Sequence, residues 1–538
     1  MGDTDRWILA IDQGNSGPKA AVVSLAGQIL GSGSVPVSVQ IGRDGAATQD
    51  PDEWRAALRK AVTLAQERAG LPPRGLHAVA VTGQWGSTIP VDEDGRAVGP
   101  VLLWADTRAA RYSSEIVGGK FTVDGVAPHK VLPWLRYTGG APSPHGADPT
   151  GHVQLLRHEL ADVGRRARWL LEPVDYLTMM LTGRPAATPA SMILSWITDN
   201  RPGATPRYLP ELVRRSGRDP RQLPELLPTG SVQGTLQREI AAELGLAPGV
   251  PVTTGIPDLH AAALGSGATS PFHTHLAVST TAWLSAPVPF KKTDVFHQMA
   301  TVPGLQPELA LVANNIETGG AALTWLRERI IAPHDLLSGG GSGIGADGAA
   351  PPLAHPTFDD LFTLAAHAEP GSEGVIFTPW LNGERSPVDD RNLRGAWVNL
   401  TLRTNRAALV RSVLEGVALN ITWLFEYYQR FLKRPVPSVR ILGGGARSDL
   451  WCSIIASCLN RPVERVADPL HAQLRGAALW SRVSLGELSL AEAAELVTLD
   501  QTFRPDPAAT AIYRERYREY RSLAKSLRGF YQRMNGSS

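Results

Sequence analysis

The alternation of apolar and polar residues over the first hundred positions reads as strand, turn, strand, strand, helix, strand. Trp7-Ile8-Leu9-Ala10-Ile11 is an apolar run, Asp12 to Gly17 is rich in turn formers, and Lys19 to Val23 resumes the run before Gln28-Ile29-Leu30. A helix is predicted to open at Asp50-Pro51-Asp52-Glu53-Trp54, where acidic residues suit the positive end of the helix dipole. Ala78 to Thr82 is strand-like again. A hairpin followed by helix and strand predicts an α/β fold with an antiparallel edge. A second unit of this kind lies at Leu276-Ala277-Val278, Ser279-Thr280-Thr281 and Trp283-Leu284-Ser285, so the pattern suggests a duplicated fold. Residues 337–352, rich in Gly, Ala and Pro, are expected to form a surface loop, and a stretch near 138–152 is expected to be irregular. From about Leu485 the chain reads as mostly helical, with the charged run Arg514 to Tyr520 as a solvated face.

The length, 538 residues, suits two domains of roughly 250 residues each. Lys+Arg 53 against Asp+Glu 51 leaves a net charge of +2, which carries no electrostatic footprint for nucleic acid or an anionic membrane. No apolar stretch is read as a membrane span and no signal peptide is read at the start, so a soluble cytoplasmic protein is expected. Cys452 and Cys458 fall in one predicted helix, about 240° apart around its axis, and cannot meet in a disulfide without melting it. That usage fits a reducing compartment.

Four segments carry candidate chemistry. A Walker phosphate loop is absent, as is a dinucleotide turn in the right context. The hairpin turns at Asp12–Lys19 and Ser279–Thr281 can either be ordinary tight turns or present bare backbone N–H groups to an anion. Asp258, in Gly255-Ile256-Pro257-Asp258-Leu259, falls between a strand end and an Ala-rich helix. It is either an N-cap or a carboxylate at a cleft mouth that accepts a hydroxyl proton. Gly443-Gly444-Gly445-Ala446-Arg447-Ser448-Asp449 joins the strand Val439–Leu442 to a helix, allowing close packing or close approach of a flat ligand. Gln84-Trp85-Gly86 and Trp104-Ala105-Asp106-Thr107-Arg108 combine the indole, carboxylate and guanidinium groups that suit a polyhydroxyl ligand, although Asp106 and Arg108 can equally form an ion pair capping a helix.

In this order the segments resemble the FGGY family of carbohydrate kinases, which includes xylulokinase and glycerol kinase, from about Trp7 to about Gly486. The matching stretches are Asp12 to Lys19, Gln84, Asp92-Glu93-Asp94-Gly95, Trp104 to Arg108, Asp175-Tyr176-Leu177 through Gly183, Gly255 to Asp258, Asn382-Gly383-Glu384-Arg385-Ser386-Pro387 with Arg394-Gly395, Arg411 to Ala418, and Gly443 to Ser448. The resemblance implies two actin-like (ribonuclease H-like) α/β domains with a cleft between them. Their bounds are expected at 6–256 for sugar binding and 257–486 for nucleotide binding, with a helical extension, 487–538, packed on the second. It implies ATP and Mg²⁺, with Asp258 as general base and Asp12 near the metal. Gly14, Asn15, Ser16, Lys19, Thr280, Thr281, Gly319, Gly320, Gly444, Gly445 and Asp449 are expected around the nucleotide. Gln84, Trp85, Asp106 and Asn382 are expected to face the sugar. The implied reaction phosphorylates a terminal hydroxyl of a small sugar or polyol, with a ketopentose such as D-xylulose as the nearest guess and a homodimer left open.

The sequence departs from the family pattern at Asn15, usually threonine, at Ser279, usually glycine, and at Trp85-Gly86, where xylulokinases carry Met-His. The first two stand in phosphate turns and the third at the sugar. Two other readings are a non-catalytic nucleotide- or sugar-sensing relative with degenerate phosphate turns, and an actin-like chaperone ATPase. Asp12, Lys19 and Asp258 argue against the first, and the sugar-side cluster against the second.

Overall fold

The computed structural model describes residues 6–122, 125–331 and 356–536. The Gly-rich stretch 337–352 lies outside the described residues. The elements that build the core are β1 (Trp7–Gly14), β2 (Gly17–Ser24), β3 (Ile29–Ser34), α1 (Pro51–Ala69), β4 (Leu76–Gly83), α2 (Pro149–His158), α3 (Ala161–Arg166), α4 (Pro173–Thr182), β5 (Val232–Thr235), β6 (Pro251–Thr253), β7 (Ile256–Pro257) and α5 (Asp258–Gly265). They continue with β8 (His275–Val278), β9 (Ala282–Ser285), α6 (Ala321–Trp325), α7 (Arg406–Leu432), β10 (Val439–Leu442), α8 (Asp449–Leu459), β11 (Val463–Val466), α9 (Ala472–Ser484), β12 (Leu499–Phe503) and α10 (Pro507–Asn535).

Two mixed sheets share one plan. In the first, ordered β5-β6-β4-β1-β2-β3 with β7 also on β4, the central β1 runs antiparallel to β2 and parallel to β4. In the second, ordered β9-β8-β10-β11-β12, β8 runs antiparallel to β9 and parallel to β10. The duplicated α/β fold is therefore present. The predicted helix start is also found, with Asp50 as N-cap accepting the Asp52 N–H. The first hairpin differs from expectation: β1 runs on through Asp12-Gln13-Gly14, leaving only Asn15 and Ser16 as the turn. Pairing with β2 on one side and β4 on the other holds these turn-forming residues extended, which overrides their local preference.

The period-2 pattern of β1 serves two helices from different parts of the chain. Trp7, Leu9 and Ile11 pack with Trp54, Leu58, Ala61 and Ala65 of α1, while Ile8 and Ala10 pack with Leu474, Ala477 and Ala478 of α9. Conversely α5, at the end of the first sheet, lies with Ala277, Leu442 and Val466 of the second. Each sheet thus borrows one cover from the other half, and α5 and α9 cross backbone to backbone. A Cβ on Gly265 would stand 1.8 Å from the Ala472 carbonyl oxygen, and one on Gly476 would stand 1.9 Å from that of Ala261.

The C-terminal region corrects two expectations. Residues Leu499–Phe503 are not helical but form the edge strand β12 on β11, their polar side chains exposed. Along α10, Arg514, Glu515, Arg518 and Glu519 are solvated, but Tyr513 and Tyr520 are buried. Their hydroxyls donate to Glu415 and Asn420 of α7 at 2.9 Å. Among the described residues α7 alone has the length and hydropathy of a membrane span, which the sequence reading did not pick out, and it is packed inside the fold. Both cysteines are free on α8.

Gly476→Ala should therefore lower stability by about 1–3 kcal/mol through overpacking, despite alanine's better helix propensity. Gly529→Ala on α10, where a Cβ meets only the Arg533 side chain at 3.7 Å, should be neutral or stabilising by up to about 1 kcal/mol. Urea unfolding of both variants checks the contrast; equal effects would remove the close crossing as a constraint.

Candidate active site

Three parallel strands end side by side: Asp12 is in register with Thr82, Gln13 with Gly83, and Thr82 and Gly83 with Ile256 and Pro257. Their C-terminal ends deliver Asp12, Gln84 and Asp258 to one edge of the first sheet, the usual place for a ligand in such sheets. Asp12 is buried and pairs across the hairpin with Lys19, whose Nζ lies 3.4 Å from Oδ2. Pro257 takes the N-cap position and Asp258 opens α5, its Oδ1 accepting the Leu259 N–H at 2.7 Å. Asp258 keeps some solvent access, as the floor of a cleft does. It is nonetheless surrounded deeply enough that desolvation, with the nearby charge of Asp12, pushes its pKa up to about 7; Leu259 and Lys19 oppose the shift.

Gln84 is buried, and neither atom of its side-chain amide has a partner among the described residues. Such a group asks for a ligand or water. Trp85 follows, packed beside Leu259 and Trp283, and the Gly86 N–H is held by Glu172 Oε2 at 2.8 Å. Asp106 forms the ion pair with Arg108, but the pair is not at the surface and caps no helix, the helix Ala110–Val117 having no side-chain cap. The buried Asp106 carboxylate accepts Arg108 Nη2 at 2.6 Å, the Arg108 N–H at 3.1 Å and the Ala47 N–H at 3.2 Å, so it braces the loop from within.

On the second sheet Gly443 sits beside the end of β8. Its φ of +93° is the left-handed region, and a Cβ would lie 2.5 Å from the Val278 carbonyl oxygen. Gly444 is exposed and Gly445 packs on Val278. The turn Ser279–Thr281 is partly to fully exposed, and it is built onto the start of α6. Gly319 N–H donates to the Thr280 carbonyl at 2.9 Å and Gly320 N–H to that of Ser279 at 2.6 Å. These two glycines therefore hold the turn. Asp449 is tied to Arg465 at 2.6 Å. The structure thus brings Asp12, Asn15, Ser16, Lys19, Gln84 and Asp258 to one sheet end and Thr280, Thr281, Gly319, Gly320, Gly443 and Gly444 to the other.

Asn382 is exposed on a loop whose next residues, Glu384 and Arg385, are tied into the second half. Arg385 forms an ion pair with buried Glu317 at 2.9 Å and lies 5.7 Å over the ring of Trp104 in the first half, so the loop reaches across the cleft. Glu384 is buried, its pKa raised to about 8 by desolvation. It accepts the backbone N–H groups of Glu317 and Arg385 at 2.9 Å and Asn420 Nδ2 at 2.6 Å.

For a divalent metal, no cluster of three His, Cys, Asp or Glu side chains is found among the described residues. Mg²⁺ does not need one, since it keeps waters and takes most other ligands from phosphates. Buried Asp12, beside Asp258, fits a site of that kind.

Comparison with known proteins agrees with this geometry. Residues 7–265 match the N-terminal domain model, and residues 273–485 the C-terminal domain model, of the FGGY family of carbohydrate kinases. The chain is 22% identical over 528 residues to a xylulose kinase of Staphylococcus epidermidis, covering 96% of each. It is 27% identical over 557 residues to an erythritol kinase of Brucella abortus, covering 97% of this chain and 96% of that one. A crystal structure of a xyloylose kinase from Brucella ovis superposes with a TM-score of 0.79 at 26% identity, covering 98% of this chain and all of the other.

The raised pKa of Asp258 means that its ionisation costs folding free energy. The cost is absent below the unfolded value of 3.8, grows as pH rises toward 7 and is complete above it. Asp258→Asn should accordingly raise Tm at pH 8 by at least about 2 °C, with the gain vanishing near pH 4. Calorimetry at the two pH values checks this, and an equal gain at both would refute the shift.

Proposed function

The chain belongs to the FGGY family of carbohydrate kinases, and on that premise we propose that it transfers the γ-phosphoryl group of ATP to a terminal hydroxyl of a small sugar or polyol, a ketopentose such as D-xylulose first among them. One observation carries the reading: a carboxylate poised near neutrality, Asp258, at the end of parallel strands beside a second buried carboxylate, Asp12. A pKa near the working pH is what a general base needs. Likeness to a xylulose kinase and, at somewhat higher identity, an erythritol kinase supports the substrate class.

In this reading Asp258 accepts the proton as the sugar oxygen attacks the γ-phosphorus. The bond from that phosphorus to the β–γ bridging oxygen breaks, and ADP leaves. Lys19 and the N–H groups at Gly14 and in the Asn15–Ser16 and Thr280–Thr281 turns offset charge on the phosphates, and Gly444 and Gly445 leave room for the nucleoside. Asp12 would hold Mg²⁺, which supplies charge neutralisation on the β- and γ-phosphates. Gln84 hydrogen-bonds sugar hydroxyls, Trp85 stacks on C–H faces, Asn382 approaches from the facing loop, and Asp106 acts through Arg108 and its loop.

Mg²⁺-ATP turnover, followed as ADP release, should appear with one member of a panel of ketopentoses, pentitols, tetritols and glycerol. Asp258→Asn should lower it by about 10²–10⁴-fold. In the wild type kcat/KM should fall on the acid side of about pH 7, because only the ionised carboxylate accepts the proton. ATP binding with no turnover on any panel member would overturn the reading in favour of a sensing relative.

A further inference from the structure

Arg218 is a buried charge with no ion pair among the described residues. It is 6% exposed, donates from Nη2 to Ser195 Oγ at 3.1 Å, and leaves Nε without a partner among the described residues. Glu172 and Asp148 act on it only at a distance, and burial lowers its pKa. A buried guanidinium with no ion pair carries a desolvation penalty that a bound anion would offset. Arginines scattered by composition alone stand in solvent, and Arg218 does not.

Arg218 lines a cavity of about 780 Å³ walled by α2, α3 and residues 217–222. Four more arginines line it. Arg165 is held by Asp162, and Arg221 by Asp219 at 2.7 Å. Arg168 stacks on Trp169 at 5.1 Å and acts on Asp219 only at a distance, and Arg157 makes no ion pair among the described residues. Arg157, Arg168 and Arg218 thus line one hollow without an ion pair among the described residues, and Asp219, the carboxylate that lines it with them, is paired to Arg221. Val153, Leu156 and Leu170 give it an apolar wall. The volume is that of a small-molecule site, and the planar donor fork of arginine matches a phosphoryl group.

We propose that this cavity is a second ligand site, separate from the cleft, that takes a phosphorylated small molecule. Its phosphoryl group meets Arg218, Arg157 and Arg168, and its organic part lies on the wall of Val153, Leu156 and Leu170. The test is isothermal titration of fructose 6-phosphate into the full chain, with ADP and Mg²⁺ saturating the nucleotide subsite, beside inorganic phosphate. Fructose 6-phosphate should bind, and the double substitution Arg157→Ala/Arg168→Ala should weaken it at least about tenfold, each lost charge-assisted contact being of that order. Inorganic phosphate, with no organic part, should bind at least about tenfold more weakly. Both substituted residues are exposed, so the variant should keep the wild-type Tm, which the same sample reports. No binding of fructose 6-phosphate, binding unchanged in the variant, or equally tight inorganic phosphate would each overturn the proposal.

Discussion

The closest constraint in the molecule is the crossing of α5 and α9, where two glycines let one backbone rest on another. Each helix is made in one half of the chain and packed on the sheet of the other. The N-terminus of α5 is the position of Asp258, so the crossing that joins the halves also sets the depth of the carboxylate between them. The desolvation that raises its pKa comes with burial at the start of this shared helix.

The architecture on either side follows from this exchange. Helix α1 closes one face of the first sheet, and α7 and α8 close one face of the second. The remaining inner faces are sealed by the borrowed helices. A cleft lined from both halves needs such a joint, since phosphoryl transfer depends on holding two substrates in line more than on covalent chemistry. The Arg385 contact over Trp104 is a second bridge between the halves, this one at the mouth.

Much of the fold was legible because it rests on short-range chemistry. Alternation in Trp7–Ile11, the cap at Asp50 and the glycines after Leu442 all report local geometry. The exchange of α5 and α9 was not legible, because an all-apolar helix such as Leu259–Leu264 says that it is buried without saying against what. The strand Leu499–Phe503 escaped because an exposed edge shows no hydrophobic alternation. At the site, ordered motifs pointed to Asp12, Lys19, Gln84 and Asp258, which the fold places at one sheet end. Asp106 and Arg108, two residues apart, fit both a ligand and an ion pair, and the structure holds them as an ion pair with Ala47 bonded to the same carboxylate. The arginines around Arg218 come from separate segments and leave no pattern along the chain.

The long helix α7 carries a further consequence. It is apolar enough to suit a lipid bilayer, and part of what keeps it in water is α10, whose tyrosines reach its Glu415 and Asn420. Asn420 in turn holds Glu384, beside the Arg385 loop of the cleft. Loss of the α10 contacts would therefore bare the greasiest helix and loosen the cleft loop at once, so the hydrophobic cover of one face and the shape of the cleft mouth stand or fall together.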